Sequence, residues 1–302
     1  MIVDAYTSFA QVYDLFMDNV PYEDWSRYII NKLRKNKIDS GYVVDLGCGT
    51  GKMTTMLADA GYDMIGIDNS MDMLQIAYER EDDRILYLMQ DMCGFDAGEK
   101  IRAVISVCDS LNYILEEQDL LSVFKSVYRQ LEDGGIFIFD INTPYKYEEL
   151  LAENTFAENR DESSFIWENY YDREEKINEY ELTLFIRDDS MDGLFRKFEE
   201  THFQRCYEPD LIEKLLRQAG FSIIEAFDAY TDEPVDSASE KITFMGKKWT
   251  TARIQCSYKN SFDIKRRNKY VRLYSKSDSS GCKHKGICSH SKRNGRNSKR
   301  TP

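Results

Sequence analysis

Residues 43–53 read VVDLGCGTGKM, and this stretch decides the fold class. An apolar run carrying one acidic residue leads into three glycines at every second position, Gly47, Gly49 and Gly51. A lysine and a segment of helical character follow. Strand, glycine-rich turn and helix in this order are typical of α/β proteins that hold a nucleotide-like ligand. The stretch therefore predicts such a site and leaves open which ligand it takes.

Strands and helices alternate on the C-terminal side of the glycine turn. The predicted strands are 42–46, 63–67, 85–89, 102–107 and 135–141, and the predicted helices are 52–60, 71–80 and 117–131. Alternation of this kind predicts a parallel sheet with helices on both faces. Apolar runs such as AVISV and IFIFDI are typical of strands that are buried on both sides. We therefore expect an α/β fold with a Rossmann-like, doubly wound sheet.

The pattern changes after Asn142. Residues 163–207 alternate and are rich in aromatic and β-branched side chains, which predicts three antiparallel strands inserted late in the α/β domain. The remaining predicted elements are helical segments over 4–37 interrupted at Pro21, a helix from Pro209 to Gly220, and strands over 222–230 and 240–245.

Composition changes sharply near residue 247. Residues 241–302 hold 18 Lys and Arg against 2 Asp and Glu, a charge of +16, which leaves 22 against 51, or −29, in residues 1–240. We predict a domain over 1–246 and a basic, disordered tail over 247–302, either inert or an out-of-frame artefact. The rival interpretation is a tail that attracts nucleic acid, since the acidic body would repel it.

The sequence gives little support for a membrane protein, a secreted protein or a metal-binding protein. The chain has no run of about 18 apolar residues, and its N-terminal segment carries Asp4 and Asp14 without a basic cluster, so we expect a cytoplasmic protein without a membrane anchor. Scattered cysteines favour reduced thiols. An array of Cys282, His284, Cys288 and His290 is too tightly spaced for the usual structural zinc sites, so we expect no metal.

The acidic residues near the glycine turn indicate which nucleotide-like ligand the site binds. A dinucleotide site would place a third glycine at position 52, where this chain has Lys52. The carboxylate of Asp45 would repel a diphosphate but suits an ammonium or sulfonium. Asp68 ends the second strand and can accept hydrogen bonds from ribose hydroxyls, with Asn69 beside it as a cofactor contact or a helix cap. These residues therefore predict a ligand that is cationic, carries a ribose and has no phosphate.

Asp91 and Met92 follow the third strand, where the carboxylate could take an adenine amino group and the thioether could pack near the ring. The combined requirements indicate S-adenosylmethionine. A dinucleotide-dependent oxidoreductase remains the main alternative at this point, and nicotinamide-cofactor binding would reveal it.

The ordered motifs VVDLGCGTG, IGIDNS, QDM, VISVCDSLNYI and LEDGGIFIFD resemble the class I S-adenosylmethionine-dependent methyltransferases over about 1–245. That resemblance implies a seven-stranded sheet whose last strand is antiparallel. The segments FAQVYDLFM, CDSLNYI and ETHFQRCY further resemble small bacterial methyltransferases of unassigned substrate, related to glycine/sarcosine and amino-sugar N-methyltransferases. In such relatives Tyr6 and Tyr13 would cover the methionine end of the cofactor, and the inserted strands would form a lid over the acceptor.

Candidate catalytic residues are Tyr13, Asp109 and His202. Cys108 ends the fourth strand and is expected to form pocket wall beside the transferred methyl rather than a nucleophile. Asp109, with Asn112 and Tyr113, either orients the acceptor or serves helix capping and loop packing. Tyr13 either lines the cofactor or packs in the first helix. His202 is either a base or substrate-binding residue, or a histidine on the sheet surface.

The expected activity is methyl transfer to a small-molecule acceptor, with nitrogen favoured because histidine, the obvious general base for an oxygen acceptor, is scarce. The alternatives are a non-catalytic module that binds S-adenosylmethionine and a methyltransferase that acts on RNA. We expect a monomer or a homodimer.

Overall fold

A mixed seven-stranded sheet flanked by helices dominates the computed structural model, which describes residues 9–188, 190 and 193–249. The helices are α1 (Ala10–Phe16), α2 (Tyr22–Lys35), α3 (Lys52–Asp59), α4 (Met71–Tyr78), α5 (Glu117–Gln130) and α6 (Pro209–Ala219), with a 3₁₀ turn at Ser110–Tyr113 and a π-helical turn at Lys146–Leu151. The strands are β1 (Tyr42–Leu46), β2 (Asp63–Asp68), β3 (Ile85–Met89), β4 (Ile101–Ser106), β5 (Leu131–Asn142), β6 (Thr155–Asn159), β7 (Ser163–Asp172), β8 (Ile177–Arg187), β9 (Phe195–Arg205), β10 (Ile223–Asp228) and β11 (Lys241–Lys247).

The large sheet has the strand order β10-β11-β5-β4-β1-β2-β3. Strand β1 pairs in parallel with both β2 and β4, so the connections reverse direction between β1 and β4. Strand β11 runs antiparallel to β5 and β10, which confirms the predicted antiparallel last strand. In open α/β sheets the reversal opens a crevice at the carboxyl ends of the strands, where ligands bind.

The central strands are buried on both faces, as their apolar runs predict. In β5, Phe137 and Phe139 pack into a core with α5 and α6, whereas Ile136 and Ile138 pack on the opposite face with α2 and α3. Because successive side chains of a strand point to opposite faces, one apolar run supplies both cores. The carboxyl ends of the strands are thereby held firmly beside the cleft described below.

A second, antiparallel sheet has the order β6-β7-β8-β9, so the predicted antiparallel insertion has four strands rather than three. Strand β6 lies outside the predicted range 163–207. Its sequence TFAEN gives no alternation, because four of its five residues are exposed. Among the helices within the described ranges, none has the length and apolar character of a membrane span.

Candidate functional site

A cleft of about 780 Å³ lies at the carboxyl ends of β1 to β4. Its volume is in the range of small-molecule sites. The predicted residues that line it are Tyr13, Asp45, Gly47, Gly49, Asp68, Asn69, Asp91, Met92 and Cys108. Gly51, Asp109 and His202 do not line it, and Tyr6 lies outside the described residues.

The glycine turn has three left-handed residues, with φ of +80° at Gly47, +52° at Gly49 and +75° at Gly51. A Cβ at Gly49 would meet nothing within 4 Å, so the backbone there is open to a ligand. A Cβ at Gly51 would lie 2.3 Å from the Tyr87 hydroxyl oxygen. Gly51 therefore serves close packing against β3 and the start of α3, and it does not line the cleft.

Asp45 is a fully buried carboxylate at the edge of the cleft. Its Oδ2 accepts a hydrogen bond from the Thr54 hydroxyl at 2.6 Å, and its Oδ1 has no hydrogen-bond partner within the described part of the chain. Burial, only partly opposed by Thr54, raises the pKa of Asp45 to about 7. An unsatisfied buried carboxylate oxygen is costly, and a cationic ligand group would satisfy it.

Asp68 connects the end of β2 to the glycine turn. The Gly49 N–H donates to its Oδ2 and the Ser70 N–H to its Oδ1, each at 2.8 Å. Ser70, not Asp68 or Asn69, caps α4, because the Met73 N–H donates to the Ser70 hydroxyl at 3.3 Å. A carboxylate can accept further hydrogen bonds beyond these two, so Asp68 retains capacity for ligand hydroxyls.

Asp91 and Met92 occupy the rim of the cleft after β3. The Cys93 N–H donates to Asp91 Oδ1 at 2.8 Å, and the carboxylate stays exposed. Met92 is half-buried, and its terminal methyl would lie 3.5 Å from a Cβ at Gly47. The thioether is therefore placed to cover a flat ring next to the glycine turn.

Two phenols and a thiol form the wall near the end of β4. The Cys108 thiol donates to the Tyr22 hydroxyl with an S–O distance of 3.6 Å, and Tyr13 lines the same cleft. Burial is the main reason that the pKa of Tyr13, Tyr22 and Cys108 is raised, to about 12 for the thiol. All three hold their protons at neutral pH, so Cys108 is not an activated nucleophile. Tyr22 was missed in the sequence, where it looks like an ordinary helix-start residue.

Asp109 belongs to a partly buried ionic cluster in which Asp140 is fully buried. The Lys241 ammonium donates to Asp109 Oδ1 and, at 3.1 Å, to Asp140 Oδ2, while Gln204 donates to Asp109 Oδ2 at 2.6 Å. Burial opposes the charge on Asp109, but Lys241 and Lys146 outweigh it and lower its pKa. The carboxylate faces this cluster and makes no capping hydrogen bond to the 3₁₀ turn that follows it, so the helix-capping interpretation is wrong.

His202 is buried rather than on the sheet surface, with 2% of its area exposed. Its Nδ1 lies 3.2 Å from the Tyr113 hydroxyl and its Nε2 lies 3.3 Å from Glu200 Oε2. The surface interpretation is wrong because His202 lies on the face of β9 that packs against the 3₁₀ turn. Tyr113 itself lines the cleft, so it separates the imidazole from the ligand space.

Within the described ranges, no group of three or more His, Cys, Asp or Glu side chains is placed to hold a metal ion. The array from Cys282 to His290 and the remainder of the predicted tail beyond Trp249 lie outside those ranges.

Comparison with known proteins places this cleft among methyltransferases. The family described as methyltransferase domain matches residues 43–135. A protein of Geobacillus sp. (strain WCH70) named as a methyltransferase is 34% identical, over 81% of this chain and 100% of the relative. A crystal structure of an S-adenosylmethionine-dependent methyltransferase from Clostridium acetobutylicum ATCC 824 is 31% identical with a TM-score of 0.72, over 82% of this chain and 100% of that chain.

A more distant relative has a named substrate. The dTDP-3-amino-3,4,6-trideoxy-alpha-D-glucopyranose N,N-dimethyltransferase of Streptomyces venezuelae is 30% identical, but the match covers 48% of this chain and 60% of that protein.

Proposed function

Because the chain belongs to the class I S-adenosylmethionine-dependent methyltransferases, we propose that it transfers the methyl group to an amine nitrogen of a small molecule. The observation that carries the nitrogen assignment is the wall formed by Tyr13, Tyr22 and Cys108, which hold their protons. A neutral amine attacks without losing a proton first, whereas a hydroxyl needs a base. The named amino-sugar relative supports the same assignment.

The cleft residues fit S-adenosylmethionine. The vacant Oδ1 of Asp45 suits the positive end of the cofactor, and the open backbone at Gly49 admits close approach. Asp68 can accept the ribose hydroxyls, and Asp91 with Met92 can hold the adenine. When bound, the cofactor supplies a methyl group activated by its sulfonium. The chain contributes binding, alignment of the acceptor and exclusion of water.

The acceptor class is tested by measuring S-adenosylhomocysteine formation with matched pairs of compounds. Each pair is a small amine and its hydroxyl analogue, including dTDP-3-amino-3,4,6-trideoxy-alpha-D-glucopyranose and the corresponding 3-hydroxy sugar nucleotide. We expect turnover with at least one amine and none with its hydroxyl partner. Faster turnover of the hydroxyl compounds, or turnover only with added tRNA, would overturn the proposal.

Cofactor affinity is expected to depend on pH through Asp45. The carboxyl group is mostly protonated below its pKa of about 7 and mostly ionised above it, and the ionised form attracts a cation. Affinity for S-adenosylmethionine should therefore rise about tenfold from pH 6 to pH 8, following the ionised fraction. Isothermal calorimetry measures this rise. The matched control is Asp45→Asn, which removes the ionisable carboxyl of residue 45 and leaves the ionisable groups of the ligand unchanged. Equal pH profiles for the two proteins would contradict this role.

We further propose the features that the sequence predicts for the whole chain. They are a domain over 1–246 with a tail over 247–302, a cytoplasmic location, and a monomer or homodimer that does not bind nucleic acid except through the tail. The described cysteines, all free thiols, are consistent with a reducing compartment.

A further inference from the structure

Tyr113 connects the cleft to two buried residues of β9, His202 and Glu200. It follows β4 in the 3₁₀ turn and lines the cleft. Its hydroxyl lies 3.2 Å from His202 Nδ1, and His202 Nε2 lies 3.3 Å from Glu200 Oε2. The three groups thus form a continuous chain from the ligand space to a carboxylate on β9.

Because His202 and Glu200 are buried, their polar atoms need hydrogen-bond partners within the protein. His202 and Glu200 are each only 2% exposed, and a buried carboxylate is costly unless it is hydrogen bonded. Glu200 Oε1 accepts the Phe9 N–H at 2.8 Å, and Oε2 faces the imidazole. A carboxylate at Nε2 favours the tautomer with its proton on Nε2. The Nδ1 lone pair is then available to the Tyr113 hydroxyl.

Tyr180 also faces the imidazole, from β8, where it lies opposite His202 in the strand register. Its ring stacks on the imidazole with centroids 5.3 Å apart, and its hydroxyl lies 2.7 Å from that of Tyr113. Tyr180 therefore holds both the ring and the phenol in place. Glu200 faces the imidazole from the same strand, β9.

We propose that Tyr113, His202 and Glu200 form a proton relay for the nitrogen that is methylated in this cleft, a role that rests on the proposed function. Methyl transfer forms an N–C bond as the S–C bond breaks, and the nitrogen becomes an ammonium. The ammonium gives its proton to Tyr113 Oη while the phenolic proton passes to His202 Nδ1. The imidazolium is then paired with the Glu200 carboxylate, and the proton returns to water by the same path after the product leaves.

In this scheme Tyr113 contacts the acceptor and is the catalytic residue, whereas His202 and Glu200 act through it as positioning residues. The imidazole lies behind the Tyr113 phenol and not in the cleft wall, so the relay suits removal of an ammonium proton better than activation of a hydroxyl.

Nitrogen NMR of the full chain labelled with ¹⁵N-histidine tests the relay without any acceptor. The chain has only three histidines, and the spectrum of His202→Asn identifies the His202 signals by their loss. We expect protonated Nε2 and unprotonated Nδ1, and a shifted Nδ1 resonance in Tyr113→Phe. Glu200→Gln should shift the Nε2 resonance of His202, because it replaces the carboxylate that faces Nε2. A proton on Nδ1, or an Nδ1 resonance unchanged in Tyr113→Phe, would overturn the proposal.

Kinetics with the fastest amine from the acceptor screen completes the test. Tyr113→Phe should lower kcat about 10²-fold while calorimetric affinity for S-adenosylmethionine stays within about twofold. His202→Asn should also lower kcat, while KM for the amine and affinity for S-adenosylmethionine stay within about twofold. The matched control is Tyr170→Phe, which removes a phenolic hydroxyl from a half-exposed residue of β7 and should leave kcat unchanged.

The two proposals fail in different ways. A wild-type chain that binds S-adenosylmethionine but methylates no amine contradicts the proposed function. A wild-type chain that methylates an amine, with equal kcat in Tyr113→Phe, contradicts the relay alone.

Discussion

Lys241→Met is expected to lower the free energy of unfolding by about 3–5 kcal/mol, the usual cost of breaking a buried ion pair from one side. The ammonium contacts Asp109 and Asp140, and Asp140 is fully buried. Burial works against the charge of Lys241, but the two carboxylates outweigh it and raise its pKa. Without the ammonium, two carboxylates would face each other in the interior.

Urea unfolding at neutral pH measures this loss, and Lys247→Met is the matched control on the same strand. Lys247 donates to the neutral Asn36 Oδ1 at 2.9 Å, so its removal should cost only about 1 kcal/mol. The deficit of Lys241→Met should shrink only as the pH falls below about 4, the pKa of an unfolded-state aspartate. The pKa of Asp109 is lowered in the folded protein, so its contribution to stability is present above the unfolded-state pKa and is lost as the pH falls through the folded-state pKa. Equal losses for the two lysine variants would contradict the account of the cluster.

Asp68→Ala is expected to weaken S-adenosylmethionine binding by about 1.5–3 kcal/mol, or roughly 10- to 150-fold. The substitution removes the predicted acceptor of the ribose hydroxyls. It also frees the N–H groups of Gly49 and Ser70, which now hold the glycine turn against β2. Both effects act on the ligand side of the cleft, so the loss should appear in affinity more than in stability.

Calorimetric titration of folded Asp68→Ala gives the result, with Asp72→Ala as the control. Asp72 also lines the cleft, but it is exposed in the first turn of α4, and its loss should change affinity by less than about threefold. An Asp68→Ala protein with wild-type affinity would mean that the ribose binds elsewhere.

Local patterns predicted the large sheet accurately. Strands β1 and β3 begin and end where their apolar runs do, at Tyr42–Leu46 and Ile85–Met89. The glycine turn was also predictable from the sequence, because a positive φ and a close backbone approach both require glycine. Asp45 and Asp68 were found because they stand at strand ends, and parallel strands bring those ends together.

Features that depend on distant partners were not predictable. Lys241 and Asp109 are 132 residues apart, and Tyr113 and His202 are 89 apart. Alternation on β9 indicates a strand, but it does not say which face meets the 3₁₀ turn. The functions of these side chains are set by tertiary packing, which neither spacing nor residue type encodes locally.

Calorimetric titration of the full chain with S-adenosylmethionine and, separately, with NAD tests the central claim most directly. The account predicts binding of S-adenosylmethionine with a dissociation constant on the order of micromolar. It predicts no binding of NAD, because Asp45 repels a diphosphate and Lys52 replaces the third glycine of a dinucleotide site. Binding of NAD, or binding of neither ligand, would contradict the assignment of the cleft.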